Sequence, residues 1–305
     1  MNIVQKIKKN MRYLWLVRNA DNMIYYYKDV PTLDNRVNLH IYDVERSGFG
    51  HYGNEKRPHN LGDSLAIPIC EFFLEKRGLR LDQPVNGKRQ FFSIGSGGLS
   101  SFADGTLWGT GTLFDGLRGA WWEKYWDANH RKLDIRAVRG PLTRQIFLKL
   151  GHNCPEIYGD PGILMPLIYT PEHIDKNHLN EYGIVPQHVN ETEVRKYIPE
   201  DKIISMNTND YKNVIDKICS CKMIYTSSLH GIILAEAYGV PAVFYRGLPN
   251  IIDHKYKDYY ASTGRFDVPM ASTLVEAMKM TPPPLPDLRQ MQQGLVETFP
   301  YDLWE

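Results

Sequence analysis

No run of about eighteen apolar residues occurs in the 305-residue sequence, so no membrane-spanning helix is expected. Neither sign of charge dominates: 36 basic side chains face 35 acidic ones, which removes the broad positive field of a nucleic-acid binder and favours a small ligand. Cysteine is scarce. Of Cys70, Cys154, Cys219 and Cys221 only the last two are close, and Cys-Ser-Cys lacks the two-residue gap of a zinc knuckle or a redox pair. The four read as reduced core thiols in a cytosolic protein. His, Cys and Asp nowhere fall into a metal-ligand spacing, so neither a metal nor a cofactor is expected. Missing too are the GxGxxG spacing and the lysine of a P-loop, which leaves no support for a dinucleotide or ATP site. Composition, 43% hydrophobic and 23% charged, is that of a folded globular chain and removes disorder, collagen and coiled coil.

The first residues, MNIVQKIKKNMRYLWLV, mix lysines and arginine with apolar residues but contain no continuous apolar stretch or small-residue cleavage site, so a signal peptide is not expected. They read as an accessory helix over 1–22, packed on the domain; a basic helix resting peripherally on an anionic membrane surface is the second reading. NMIYYYKDV then reads as a strand, followed by a loop from Arg46 to Asn60. NLGDSLAIPICEFFLEKRGL predicts a helix, with Asp63 or Ser64 as its cap, Pro68 near the first turn and Gly78 as its stop. RQFFSIGSGGLSS and TLWGTGT predict strands that run into glycine-rich loops. KLDIRAVRGPLTRQIFLKLGH predicts a strand, a turn carrying Arg139 and Gly140, and a helix stopped by Gly151.

After YGDPGILMP the polar stretch TPEHIDKNHLNEYG reads as a linker over 171–180. The second half resumes with strands at YGIVPQHV, KIISMNT, KMIYTSS and VPAVFYR and helices at 209–219 and 229–238. Strands alternating with helices predict an α/β fold with parallel sheets covered on both faces. The expected organisation is two Rossmann-like domains facing across a cleft, 23–170 on the acceptor side and 181–280 on the donor side. A tail helix within 281–305 follows a proline spacer.

In an open parallel sheet, ligands bind where strands turn into helices, and a helix start offers unpaired amides to an anion. Three joints of this kind stand out. In YTSSLHG, Ser227 and Ser228 offer hydroxyls, Leu229 and His230 open the helix, and Gly231 allows close backbone approach; the plain alternative is two capping serines and a wall histidine. DIRAVRGPLTR gathers Arg136, Arg139 and Arg144, whose forks suit phosphate or carboxylate. SIGSGGLSS places Gly97 and Gly98 where consecutive amides form an anion-holding nest. At a fourth joint, PHNLGDSL, the first along the chain, Asn60, Gly62 and Asp63 are candidates to bind an acceptor hydroxyl. Asp160, in YGDPG, reads as a turn residue.

The ordered set of these motifs, from Met23 to Tyr245, resembles the polysaccharide pyruvyl transferase family, built as two Rossmann-like domains similar to the GT-B glycosyltransferases. The resemblance implies transfer of the carboxyethylidene unit of phosphoenolpyruvate onto two hydroxyls of one sugar, with release of phosphate and no cofactor beyond that co-substrate. The expected acceptor is a bacterial-type polysaccharide or its lipid-linked precursor in the cytoplasm; contact of the N-terminal basic helix with the inner face of the membrane would favour the lipid-linked form over a free one. The resemblance also implies that Arg139 binds the donor and that His230 is the histidine of the family's Leu-His pair. Some members have arginine before that pair, where this chain has Ser228; Arg144, Arg246 and Arg118, in that order, are the candidates to supply the charge. Two rival readings stand beside this one. The first is a GT-B glycosyltransferase using a nucleotide sugar. The second is a non-catalytic carbohydrate-binding protein in which Trp108, Trp121, Trp122 and Trp126 stack on sugar.

Overall fold

A computed structural model describes residues 35–41, 60–87, 89–99, 104–113, 115, 131–172, 174–175, 179–247 and 253–305. The expected accessory helix at 1–22, the strand at 22–30, Arg118, Trp121, Trp122 and Trp126 lie outside the described residues.

The chain forms two parallel sheets. The first has the order β1 (Val37–His40), β2 (Arg89–Phe92), β3 (Gly105–Trp108), β4 (Leu133–Ala137), each strand parallel to its neighbour. Between β1 and β2 lie the short helix α1 (Leu61–Ser64) and α2 (Ala66–Glu75); α3 (Pro141–Lys149) follows β4. The second sheet is β5 (Gly183–Val185), β6 (Ile224–Thr226), β7 (Ala242–Phe244), with α4 (Tyr211–Cys219) before β6 and α5 (Leu229–Ala237) after it. After β7 come α6 (His254–Ser262) and, in the tail, α7 (Arg289–Glu297).

The expected single helix at 60–78 is two helices. Pro68 has no amide for the carbonyl of Ser64, and the helical ladder breaks at Leu65, between α1 and α2. Neither Asp63 nor Ser64 caps it: Asn60 holds the cap position, and Ser64 instead donates its hydroxyl to the Asn60 carbonyl at 2.9 Å. The expected strand KIISMNT shrinks to a bridge of Ile203 onto Ile184.

One apolar cluster runs through both sheets. Val37, Leu39, Phe91 and Trp108 of the first share it with Val185, Ile224 and Phe244 of the second, and with Ile232, Ile233 and Leu234 of α5. Helix α5 is buried from Leu229 to Glu236, the pattern of a helix enclosed on every side rather than one facing water. Its first turn therefore lies inside the molecule.

The tail closes the first sheet. Trp304 meets Phe91 edge-on at 5.7 Å, Phe299 stacks on Phe73 at 4.9 Å, and the Trp108 indole donates to the Leu295 carbonyl at 3.0 Å. Large rings buried in this way are among the strongest contributors to a core. Trp108 is accordingly fully buried, which removes it from the residues expected to stack on sugar.

No helix among the described residues is long and apolar enough to cross a membrane. All four cysteines are free thiols. Burial raises Cys154 to about 12 and Cys219 and Cys221 to about 11, which keeps them protonated and unreactive at neutral pH.

Candidate active site

The carboxyl end of β6 leads through Ser227 and Ser228 into α5. Ser228 takes the cap position in extended conformation, yet its side chain caps nothing, and the first-turn amides of α5 have no intrahelical acceptor. Ser227 is committed elsewhere: its hydroxyl accepts from the Gln187 amide at 2.9 Å and lies 3.3 Å from the Asn190 amide nitrogen. Leu229 belongs to the core. Gly231 serves packing rather than ligand approach, because a Cβ there would stand 2.3 Å from Thr226 Oγ1 and 2.9 Å from the Val185 side chain.

His230 is 7% exposed, and its Nε2 has no hydrogen-bond partner among the described residues. Facing it at 3.7 Å is Oδ2 of Asp160, also buried and also without a partner. The other oxygen of Asp160 accepts from the Gly162 amide at 3.0 Å and so caps the 3-10 turn Pro161–Leu167. Asp160 thus fills the turn role read from the sequence and in addition presents a free carboxylate oxygen to the imidazole. A distance of 3.7 Å is too long for a direct hydrogen bond. One ligand oxygen beside both atoms can satisfy the two at once.

The opposite wall comes from α1. Its amide at Leu61 donates to the Met206 carbonyl at 2.9 Å, which ties α1 to the second half. Gly62 lies directly under the His230 ring: a Cβ at this position would fall 1.9 Å from Nδ1. Asp63, next along, packs against Gly95, where a Cβ would meet its Oδ1 at 2.3 Å. Burial raises the Asp63 carboxyl to about 6, and Asp160 pushes in the same direction, against the pull of His230, Lys255 and Arg139.

Arg139 reaches the same floor from the first sheet. Its Nη1 donates to the Gly95 carbonyl at 3.3 Å and to Ser96 Oγ at 2.9 Å, its Nη2 to the Thr112 carbonyl at 2.7 Å, and its Nε to Asp258 Oδ2 at 3.1 Å. Both partners of this ion pair have 0% side-chain exposure. The guanidinium is held by protein groups on every branch, and Gly111 leaves it room, since a Cβ there would lie 2.2 Å from its Cζ. Arg139 therefore fixes the loops after β2 and β3 around the site rather than extending a free fork into it.

The nest expected at Gly97 and Gly98 is filled from within. The Gly97 amide donates to Thr110 Oγ1 at 3.1 Å and the Gly98 amide to the Gly111 carbonyl at 3.1 Å. Two of the arginines named as substitutes for the charge absent at Ser228 are also engaged. Arg144 pairs with Glu156 at 3.0 Å and donates to the Cys154 carbonyl, and Arg246 is held by both oxygens of Asp253. Arg136 is paired with Asp134 and Asp302.

Helix α6 is the part of the site that the sequence reading did not find. Asp258 accepts from the amides of Leu142 and Thr143 at 2.9 and 3.0 Å, capping α3 from across the molecule, and also holds Thr143 Oγ1 and Arg139. His254 Nε2 lies 2.9 Å from Thr112 Oγ1, and burial is the main cause holding that histidine below its ordinary value. Tyr256 donates to the Ser227 carbonyl at 2.8 Å. The available signal was polar residues one turn apart at 254 and 258 in a helix otherwise rich in tyrosine.

Strand ends from both sheets thus converge on one buried place holding His230, Asp160 and Asp63, with Arg139 beneath. Residues 107–246 match the polysaccharide pyruvyl transferase family. The match contains Arg139, Asp160 and the Ser227–Gly231 joint, and it agrees with the resemblance drawn from the motifs. An uncharacterized protein of Acanthamoeba polyphaga mimivirus is 30% identical over 171 residues, which are 54% of this chain and 55% of that protein. The chain thus spans about half the length of the curated relative it matches. Among the described residues no group of three or more His, Cys, Asp or Glu side chains is placed to hold a metal ion.

Proposed function

We propose that the protein is a ketal pyruvyltransferase that moves the carboxyethylidene group of phosphoenolpyruvate onto two hydroxyls of one sugar, and that its halves act as the two facing domains of a GT-B-like enzyme. The observation that carries this reading is the pair of buried, unpartnered atoms, His230 Nε2 and Asp160 Oδ2, at the uncapped start of α5. That constellation combines an anion site with groups able to move protons.

The reaction needs two proton movements. The enol carbon of the donor takes a proton and becomes a methyl group, leaving an oxocarbenium-like centre that the first sugar hydroxyl attacks. The second hydroxyl of the same sugar then displaces phosphate. Of the two hydroxyl protons lost, one balances the methyl group and the other leaves with phosphate. Asp63, raised to about 6, is mostly ionised at pH 7 yet basic enough to accept a hydroxyl proton. His230 carries a proton between donor and acceptor, with Asp160 orienting it. The first-turn amides of α5 hold the donor's anionic end, and Arg139 keeps the glycine loops in place. Asn60 and Gly62 line the acceptor side, with a lipid-linked oligosaccharide at the cytoplasmic membrane surface as the acceptor of this reading.

Incubation with phosphoenolpyruvate and a galactoside tests it. Phosphate release that depends on both substrates, lowered at least roughly tenfold in His230→Ala, is the expected result. Release of a nucleoside diphosphate from a nucleotide sugar in the same assay would instead favour glycosyl transfer.

A further inference from the structure

The first turn of α6 is fastened at three points around the site: His254 to Thr112 of the loop after β3, Tyr256 to Ser227 ahead of α5, and Asp258 to Arg139 and the start of α3. Lys255 stands between these anchors, half-buried. Its ammonium lies 4.9 Å from the centroid of the Tyr256 ring, a cation-π distance, and that ring is the one hydrogen-bonded to Ser227. The cation thus packs on the same tyrosine that braces the joint ahead of α5.

No ion pair of Lys255 is found among the described residues, whereas Arg139, Arg144 and Arg246 are each paired with a carboxylate. The charges of Arg139, after β4, and of Asp63, in α1, act on Lys255, and His254 and Tyr256 flank it on its own helix. Burial, then the charge of Arg139, lowers its ammonium to about 8, while Asp63 opposes the shift. A half-buried ammonium pressed by a guanidinium gains most from an added anion.

We propose that Lys255 is the cation that binds the anionic donor at the start of α5, in the place left uncharged by Ser228. This rests on the pyruvyl-transfer reading. With the α5 amides on one side and the lysine on the other, a phosphate or a carboxylate is held by a positive partial charge and a full one.

The test is calorimetric titration of phosphoenolpyruvate into the full chain as wild type, Lys255→Met and Lys255→Arg, with each variant's melting curve recorded. Lys255→Met is expected to bind at least about tenfold more weakly, and Lys255→Arg to stay within about threefold of wild type. Raising the pH from 7 to 9 should weaken wild-type binding as the ammonium discharges and leave Lys255→Arg unchanged, a readout that stands even where Lys255→Met folds poorly. Parallel titrations with inorganic phosphate and with pyruvate assign the lysine to whichever half of the donor loses affinity. Wild-type affinity retained in Lys255→Met, or a pH profile shared by wild type and Lys255→Arg, overturns the role of the lysine and leaves pyruvyl transfer standing. A wild-type chain that binds a nucleoside diphosphate but not phosphoenolpyruvate overturns both.

Discussion

His230 and Asp160 face each other at 3.7 Å, each with a buried polar atom that no described residue satisfies. A buried unsatisfied group costs about 1–3 kcal/mol. Two of them, aimed at one point beside a bare helix start, mark where a ligand oxygen belongs.

Asp160→Asn separates the two tasks of that side chain. The amide oxygen can keep the hydrogen bond from Gly162 and so the local turn, while the free acceptor facing His230 becomes a donor. Turnover is expected to fall at least about tenfold and the unfolding free energy to change by less than about 1 kcal/mol. Initial rates of phosphate release and urea unfolding check the two halves of the statement; a fully active variant would take Asp160 out of the reaction.

Asp63 makes the fold sensitive to pH. Its carboxyl is raised from 3.8 to about 6 in the folded chain, chiefly by burial, so between about pH 4 and 6 the folded chain keeps a proton that the unfolded chain has released. The associated stability is present below about pH 4, declines as pH rises through 6, and is absent at pH 7. Asp63→Asn should therefore be the more stable protein at pH 7, by on the order of 2 kcal/mol, should show a flatter profile from pH 4 to 6, and should lose activity. Urea unfolding of both proteins at pH 4, 5, 6 and 7 reads this directly. A variant less stable than wild type at pH 7 would contradict it.

The Arg139–Asp258 pair is expected to behave as one unit. Both side chains are fully enclosed, and removing one partner of a buried pair typically costs about 3–5 kcal/mol. Arg139→Met should thus destabilise the chain as well as lower activity, and adding Asp258→Asn should cost less than the sum of the two single changes. A double-mutant cycle in urea showing strict additivity would mean that the two do not act together.

The alternation of strands and helices in the second half was readable because β6, α5 and β7 are almost wholly apolar and bounded by polar joints. His230, Asp63 and Arg139 stood out for a related reason: each follows a strand or opens a helix beside glycines, and Gly62, Gly95 and Gly111 are the places where those side chains need room. Strand β1 was not found. Val37–His40 is short and buried throughout, so it shows no alternation. Asp258 and Lys255 were also missed, because a polar residue on a helix looks the same in sequence whether it meets solvent or a partner 116 residues away. The glycines at 97 and 98 misled in the opposite sense: their amides are used by neighbours that only the folded chain brings close.

The apolar face of the first sheet is finished by residues that are made much later. Gln83 donates to the Trp304 carbonyl across 221 residues of chain, and Trp304 and Phe299 cover Phe91 and Phe73. At typical translation rates of about 5–20 residues per second, that interval lasts on the order of 10–40 s. During this time the earlier-made half displays bare aromatic rings, so the docking of residues 299–304 is a late folding event and a natural point for chaperone capture or self-association.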